Sequence, residues 1–115
     1  MFRLKWTATA ARQFEELREQ AARVGMGRAK KGKAKPSKVE GLYKQVAKCI
    51  ALLRENPRHP GLNTHAYLSL ENPYGPAGKV FEAYAQHRTP NAYRVFWCYG
   101  PAKGDITILA ITGHP

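Results

Sequence analysis

The stretch that most narrows the fold is the last quarter of the chain, Ala92 to Pro115. Two apolar runs, AYRVFWCY and ITILAIT, are rich in β-branched and aromatic residues, and the GPAKGD between them has the Gly, Pro and Asp content of a turn. The pattern predicts a β-hairpin. Its first strand holds Arg94 inside an otherwise apolar run, and its second runs out to His114. An arginine in mid-strand is costly to bury unless it is paired or faces a cleft.

The chain upstream reads as support for that hairpin. Lys79 to Gln86, KVFEAYAQ, predicts a strand with Phe81, Ala83 and Ala85 on one face and Val80, Glu82, Tyr84 and Gln86 on the other. His87 to Asn91 turns the chain, and along the next strand Tyr93, Val95, Trp97 and Tyr99 alternate with Arg94, Phe96 and Cys98. If Phe81, Val95 and Trp97 face the helices, then Glu82, Tyr84 and Arg94 share the opposite face. An acid, a phenol and an arginine there, with His114 just past the last strand, make a site suited to phosphate chemistry.

The first half predicts one strand and two helices. Phe2, Leu4 and Trp6 alternate with Arg3 and Lys5, a short strand with one buried face. Thr7 or Thr9 caps a helix to about Val24, with Phe14, Leu17, Ala21 and Val24 on one stripe and Gly25 and Gly27 as its stop. Ser37 and Glu40 fit a capping box opening a second helix to about Glu55, whose stripe is Val39, Leu42, Val46, Cys49/Ile50 and Leu53. Residues 57–78 are rich in Pro, Gly and Asn and predict a long loop carrying His59 and His65; His59 reads as exposed or as a loop brace. The expected fold is α+β: one domain over residues 1–115, a small antiparallel sheet with two N-terminal helices on one face, in the order β-α-α-β-β-β.

Charge bounds the partners. The chain carries a formal net charge of +11. Residues 1–60 hold fifteen Lys/Arg against five Asp/Glu, a net of +10, and residues 61–115 hold four against three, a net of +1. Such asymmetry points to a polyanion. Arg28 to Lys38, RAKKGKAKPSK, has six basic residues and no acid, and the segment from about 25 to 38 is expected to be a flexible link. Lys30, Lys31, Lys33 and Lys35 are then candidates to hold phosphates through salt-sensitive contacts, against the alternative of a plain solvated linker. No apolar run approaches a membrane span, no N-terminal signal segment is expected, and the two cysteines fit no zinc or redox spacing. A reducing cytoplasm is the expected compartment, with no membrane partner, no metal and no cofactor.

The order of elements and four local matches resemble the RelE/ParE toxin superfamily. LLRENPRHPGLNTH is similar to the family's apolar helix end and the loop that follows. KVFEAY resembles its aromatic-bearing strand, Ala92 to Trp97 its Tyr-Arg-hydrophobic motif, and ILAITGHP its final strand. The resemblance covers nearly the whole chain except the basic link. It implies the toxin of a type II toxin–antitoxin pair, of the RelE/YoeB/HigB-like kind: a metal-independent endoribonuclease cutting mRNA, usually on the ribosome, and neutralised by a cognate antitoxin. The alternatives are a ParE-like inhibitor of DNA gyrase with no chemistry of its own, and an inactive toxin-derived binding domain. Arg94 matches the family's strand arginine, which contacts the scissile phosphate. His114 matches the C-terminal histidine proposed as general acid in YoeB- and HigB-like members.

Metal-free RNA cleavage needs a base for the 2′-hydroxyl, positive charge at the phosphorane and an acid for the departing 5′-oxygen. Arg94 suits the second role because a guanidinium offers a permanent, forked charge; its structural alternative is an ion pair with Glu82. His114 suits the acid, against a frayed terminal residue with no fixed place. Glu82 and His65 both stand as candidates for the base. Tyr84 is placed to stack on a base or donate to phosphate, with plain sheet packing as its alternative. Lys79, His87 and Arg88 are expected on the same rim, holding flanking phosphates.

Overall fold

The computed structural model describes residues 1–32 and 35–113. Its elements are β1 (Arg3–Trp6), α1 (Ala8–Lys30), α2 (Lys38–Glu55), a 3-10 turn (Pro60–Leu62), β2 (His65–Ala66), β3 (Phe81–Tyr84), β4 (Tyr93–Tyr99) and β5 (Asp105–Gly113). The sheet runs β1-β5-β4-β3-β2, with both helices packed on one face. β1 lies parallel to β5 while the other pairings are antiparallel, so the sheet is mixed rather than purely antiparallel. The reason is the connection. Parallel neighbours need a long crossover rather than a hairpin turn, and all the other elements lie between β1 and β5. No described helix is long and apolar enough to cross a membrane.

β4 is the centre of the sheet. Its inward residues Val95 and Trp97 join Ala83 of β3, Ala85 just beyond it, and Ile106, Ile108 and Ile111 of β5, in one core with Leu17, Val46, Ile50 and Leu53 of the helices. β5 meets the core at even positions and then at an odd one. A bulge makes the switch: Trp97 pairs with Ile108 while Phe96 pairs with Ala110, leaving Leu109 out of register. The extra residue's carbonyl is taken by Thr7, whose Oγ1 donates to it at 2.8 Å. The same Oγ1 accepts from the Ala10 N–H, so Thr7 is at once the N-cap of α1 and the partner of the bulge.

α1 runs alongside β5 toward its C-terminal end, where the Gln13 carboxamide accepts from the Ile111 N–H at 2.7 Å. It does not stop at Gly25 and Gly27 but continues to Lys30. Each glycine weakens a helix by about 1 kcal/mol without ending it, and here a bond to the second helix holds the turn. Arg28 Nε donates to Glu40 at 2.9 Å, and Glu40 also closes the expected capping box with Ser37. The last stretch of α1 overhangs the sheet: Val24, expected on the buried stripe, is 39 % exposed, and Met26 is 65 % exposed. Ten residues beyond Gln20 add about 15 Å of helix, which gives the molecule a long axis of 52 Å against 25 and 24 Å.

At the other end of the hairpin, the turn from Tyr99 to Asp105 is clamped to β1. Asp105 is buried, accepting from Arg3 Nε at 2.8 Å and from the Ala102 N–H at 3.2 Å. Burial alone would raise its pKa; the hydrogen bonds from Ala102 and Arg3 outweigh it and hold the carboxyl below its usual range. Glu40 is held low as well, chiefly by the Arg28 hydrogen bond. A carboxylate depressed in the folded state adds stability that is present above its unfolded pKa and is lost as pH falls through the folded value. Thermal melts should therefore be level above about pH 5 and fall steadily below it. An Asp105→Asn/Glu40→Gln variant should be less stable at neutrality and show a shallower acid limb; limbs of equal slope would refute the assignment. Thr7→Ala should lower stability by about 1 kcal/mol in denaturant titrations, with Thr7→Ser close to wild type.

Candidate functional site

The face of the sheet opposite the helices is where the chemistry-bearing residues gather. Register places Tyr84 beside Arg94 and Glu82 beside His65. The guanidinium of Arg94 lies over the phenol ring, with Cζ 3.5 Å from the Tyr84 ring centroid. Two imidazoles flank the same ring, His65 at 5.7 Å and His87 at 5.5 Å between centroids. Glu82, Tyr84, Arg94, His65 and His87 thus form one cluster, as the face argument expects for the first three. Arg88, in a left-handed conformation at φ 57°, is exposed in the turn between β3 and β4.

Arg94 is 92 % buried, yet no ion pair joins it to Glu82 or to any other described carboxylate. Its Nη1 donates to three backbone carbonyls around the β3–β4 turn, those of Ala92 at 3.0 Å, Gln86 at 3.3 Å and Tyr93 at 3.5 Å. Its Nε is buried with no hydrogen-bond partner, and so is Glu82 Oε2. The structural alternative for Arg94, an ion pair with Glu82, is therefore not what the structure contains. Neutral carbonyls and a ring face brace this guanidinium, and no described carboxylate compensates it.

His65 is the one exposed member whose orientation is fixed. Its Nδ1 lies 2.7 Å from the Asn63 carbonyl oxygen. A carbonyl only accepts, so Nδ1 carries the proton and Nε2 of the neutral ring is left with a free lone pair. Asn63 ends the 3-10 turn in a left-handed conformation, φ 47°. The short strand that aligns His65 with β3 was not expected from the sequence, which placed this residue in a loop. His59, by contrast, braces the loop: its Nδ1 accepts from the Gly61 N–H at 2.9 Å.

Other expected residues lie elsewhere. Lys79 precedes β3, five residues from Tyr84, about 16 Å along an extended chain. It lines a groove of about 650 Å³ under the 66–80 loop rather than joining the Arg94 cluster. Lys30 ends α1, and Lys31 and Lys35 lie at the tip of the helical hairpin, all three exposed. His114 and Lys33 lie outside the described residues; β5 ends at Gly113, in register with Tyr93. Reading the sequence missed Gln86. Its Oε1 accepts from the Tyr93 N–H at 3.1 Å, its Nε2 donates to Gln45 of α2 at 3.0 Å, and its carbonyl receives Arg94. No periodicity marks such a keystone, because its value lies in contacts made after the chain has turned.

No protein-family model matches the sequence, and no curated protein matches it. Solved structures do. A YoeB/ParE toxin from Agrobacterium tumefaciens superposes with a TM-score of 0.62 at 9 % identity, covering 98 % of this chain and 99 % of that one. A chain of the archaeal RelE–RelB complex from Pyrococcus horikoshii gives 0.56 at 14 % identity, covering 97 % and 93 %. The YoeB dimer from Staphylococcus aureus gives 0.56 at 9 % identity, covering 99 % and 98 %. At such identities the likeness is one of fold. The chain has the α+β fold of the RelE- and YoeB-like toxins.

The clamp on Arg94 has a measurable side. The Tyr84 hydroxyl does not enter it, so Tyr84→Phe should leave stability within about 0.5 kcal/mol of wild type. Tyr84→Leu removes the ring under the cation and should cost about 1 kcal/mol or more by urea titration. Equal losses in the two variants would show that the hydroxyl, not the ring, carries the contact.

Proposed function

We propose that this chain, whose fold is that of the RelE- and YoeB-like toxins, is the toxin of a toxin–antitoxin pair and acts as a metal-independent endoribonuclease on mRNA at the ribosome. The observation that carries the reading is Arg94: a buried, braced guanidinium with no carboxylate partner among the described residues, lying over a Tyr84 ring that an imidazole of fixed tautomer also flanks. A phosphodiester supplies the counter-charge that no described carboxylate gives Arg94.

In this mechanism the scissile phosphate sits over Arg94, which meets the charge that grows as the phosphorane forms. His65 Nε2 takes the proton of the attacking 2′-hydroxyl while the Asn63 carbonyl holds the ring in the needed tautomer. The 2′-oxygen forms its bond to phosphorus as the bond to the 5′-oxygen breaks, leaving a 2′,3′-cyclic phosphate and a 5′-hydroxyl. His114 is assigned the acid that protonates that 5′-oxygen. Glu82 is the cross-strand neighbour of His65 and is buried, whereas His65 is exposed with its ring held by Asn63, so His65 is the preferred base. His87 and Arg88 are assigned to flanking phosphates, and the lysines of the hairpin tip to non-specific RNA contact. Tyr84 serves as a platform for Arg94, since the guanidinium already occupies one face of its ring.

Induction of the wild type should arrest growth and produce new mRNA 5′ ends. Arg94→Ala should remove both, and His65→Gln should lower the cleavage rate by about 10²-fold or more. Growth arrest with intact message and lost DNA supercoiling would replace this reading with the gyrase-inhibitor one.

A further inference from the structure

The groove beside the cluster is a built feature that the proposed chemistry leaves unused. The 66–80 loop is tied down at three levels. At its base the Tyr67 N–H donates to the Val80 carbonyl at 2.8 Å. At its waist the Asn72 side chain accepts from the Tyr74 N–H at 2.8 Å and donates to the Lys79 carbonyl at 3.2 Å. Farther out, the Tyr74 hydroxyl lies 2.9 Å from Thr107 Oγ1 on β5. Tyr67 also packs on Phe96, with ring centroids 4.7 Å apart. A loop braced in this way could close on itself. Instead it holds open about 650 Å³ between Tyr67, Leu68, Leu70, Pro73, Pro76 and Val80, a volume that suits a ligand of nucleotide size. Leu68 stands 95 % exposed beside it.

We propose that this groove is a subsite for the unpaired nucleotides flanking the scissile phosphate of a single-stranded RNA, a step that rests on the nuclease reading. Three observations favour that occupant. The groove begins at Ala66, the residue after His65, and runs along the end of β3 away from Tyr84. A strand whose phosphate lies at Arg94 and whose path follows the sheet therefore passes over it. The walls supply apolar faces for bases, and Glu71 and Lys79 are the charged residues of the lining, one to accept from an exocyclic amine and one to meet a phosphate. Finally, the loop that forms the groove is braced at three levels, so its apolar walls are set before a base arrives.

The test uses the full chain and a fluorescent single-stranded RNA hexamer whose 2′-positions are methylated so that it cannot be cut. Leu68→Ser and Lys79→Gln both alter exposed side chains. Each should weaken binding about fivefold to tenfold, and Lys79→Gln should reduce the slope of log K against log salt by about 0.7. Glu71→Gln should change the base preference beside the cut when cleaved RNA ends are mapped with unmodified message. Wild-type affinity and an unchanged cleavage pattern in all three variants would overturn the inference. So would loss of binding to an acidic protein partner with RNA binding intact. Groove-dependent binding of the hexamer by a wild type that cuts no RNA would uphold the subsite and sink the nuclease reading alone.

Discussion

The out-of-register residue Leu109 is the constraint on which the arrangement turns. β4 has seven residues and a strict alternation, with Val95 and Trp97 inward and Arg94, Phe96 and Cys98 outward. β5 is longer and places Ile106, Ile108 and Ile111 in the same core, a set that no uninterrupted strand can present to one side. The bulge resolves the conflict, and its freed carbonyl becomes the anchor for Thr7. Helix α1 therefore starts where the bulge allows. Its Gln13 then meets Ile111, and its overhang points past the end of β5 that lies beside Tyr93 and Arg94. A local irregularity of one residue thus sets both the inner packing and the placement of the basic tip.

Much of this was legible in the sequence because period and capping chemistry are local. The alternation in β3 and β4 put Glu82, Tyr84 and Arg94 on one face, and the register agrees. Ser37 and Glu40 were readable as a capping box, and the box is there. The misses are all cases where distant contacts override local preference. Gly25 and Gly27 look like a helix stop until Arg28 finds Glu40 twelve residues away. The parallel pairing of β1 has no local mark, since it depends on which edge of the hairpin remains free. His65 reads as loop because a two-residue strand has no period; its place is set by β3. Lys79 seemed close to the site by sequence distance from Tyr84, but an extended strand carries it to the far end.

Electrostatics divides the molecule in the same way. Glu40 is the acid of the hairpin tip, and Arg28 already satisfies it, so Lys30, Lys31, Lys35 and Lys38 project without a balancing carboxylate from the tip itself. No aromatic residue occurs between Ala22 and Leu42. Such a surface attracts phosphates by charge, without stacking on bases. The cluster around Arg94 is the opposite kind: few charges, several rings, and a fixed geometry. Net charge is thus concentrated at one element and fixed hydrogen-bonded geometry at another.

Arg94 shows what the second kind costs the fold. Leaving a guanidinium nine-tenths buried without a carboxylate is unfavourable by several kcal/mol, and a leucine or methionine at the same place would pack against Tyr84 and Phe96 without that penalty. The three carbonyls that receive Nη1 reduce the cost, but they do nothing for Nε. Glu82 lies two residues from Tyr84 on the same face, and no ion pair joins it to Arg94. Tyr84 and the Gln86 turn instead hold the cation still while leaving its charge unspent. That arrangement costs stability that an ion pair or an apolar side chain would not cost, and it is the feature on which the proposed phosphate contact rests.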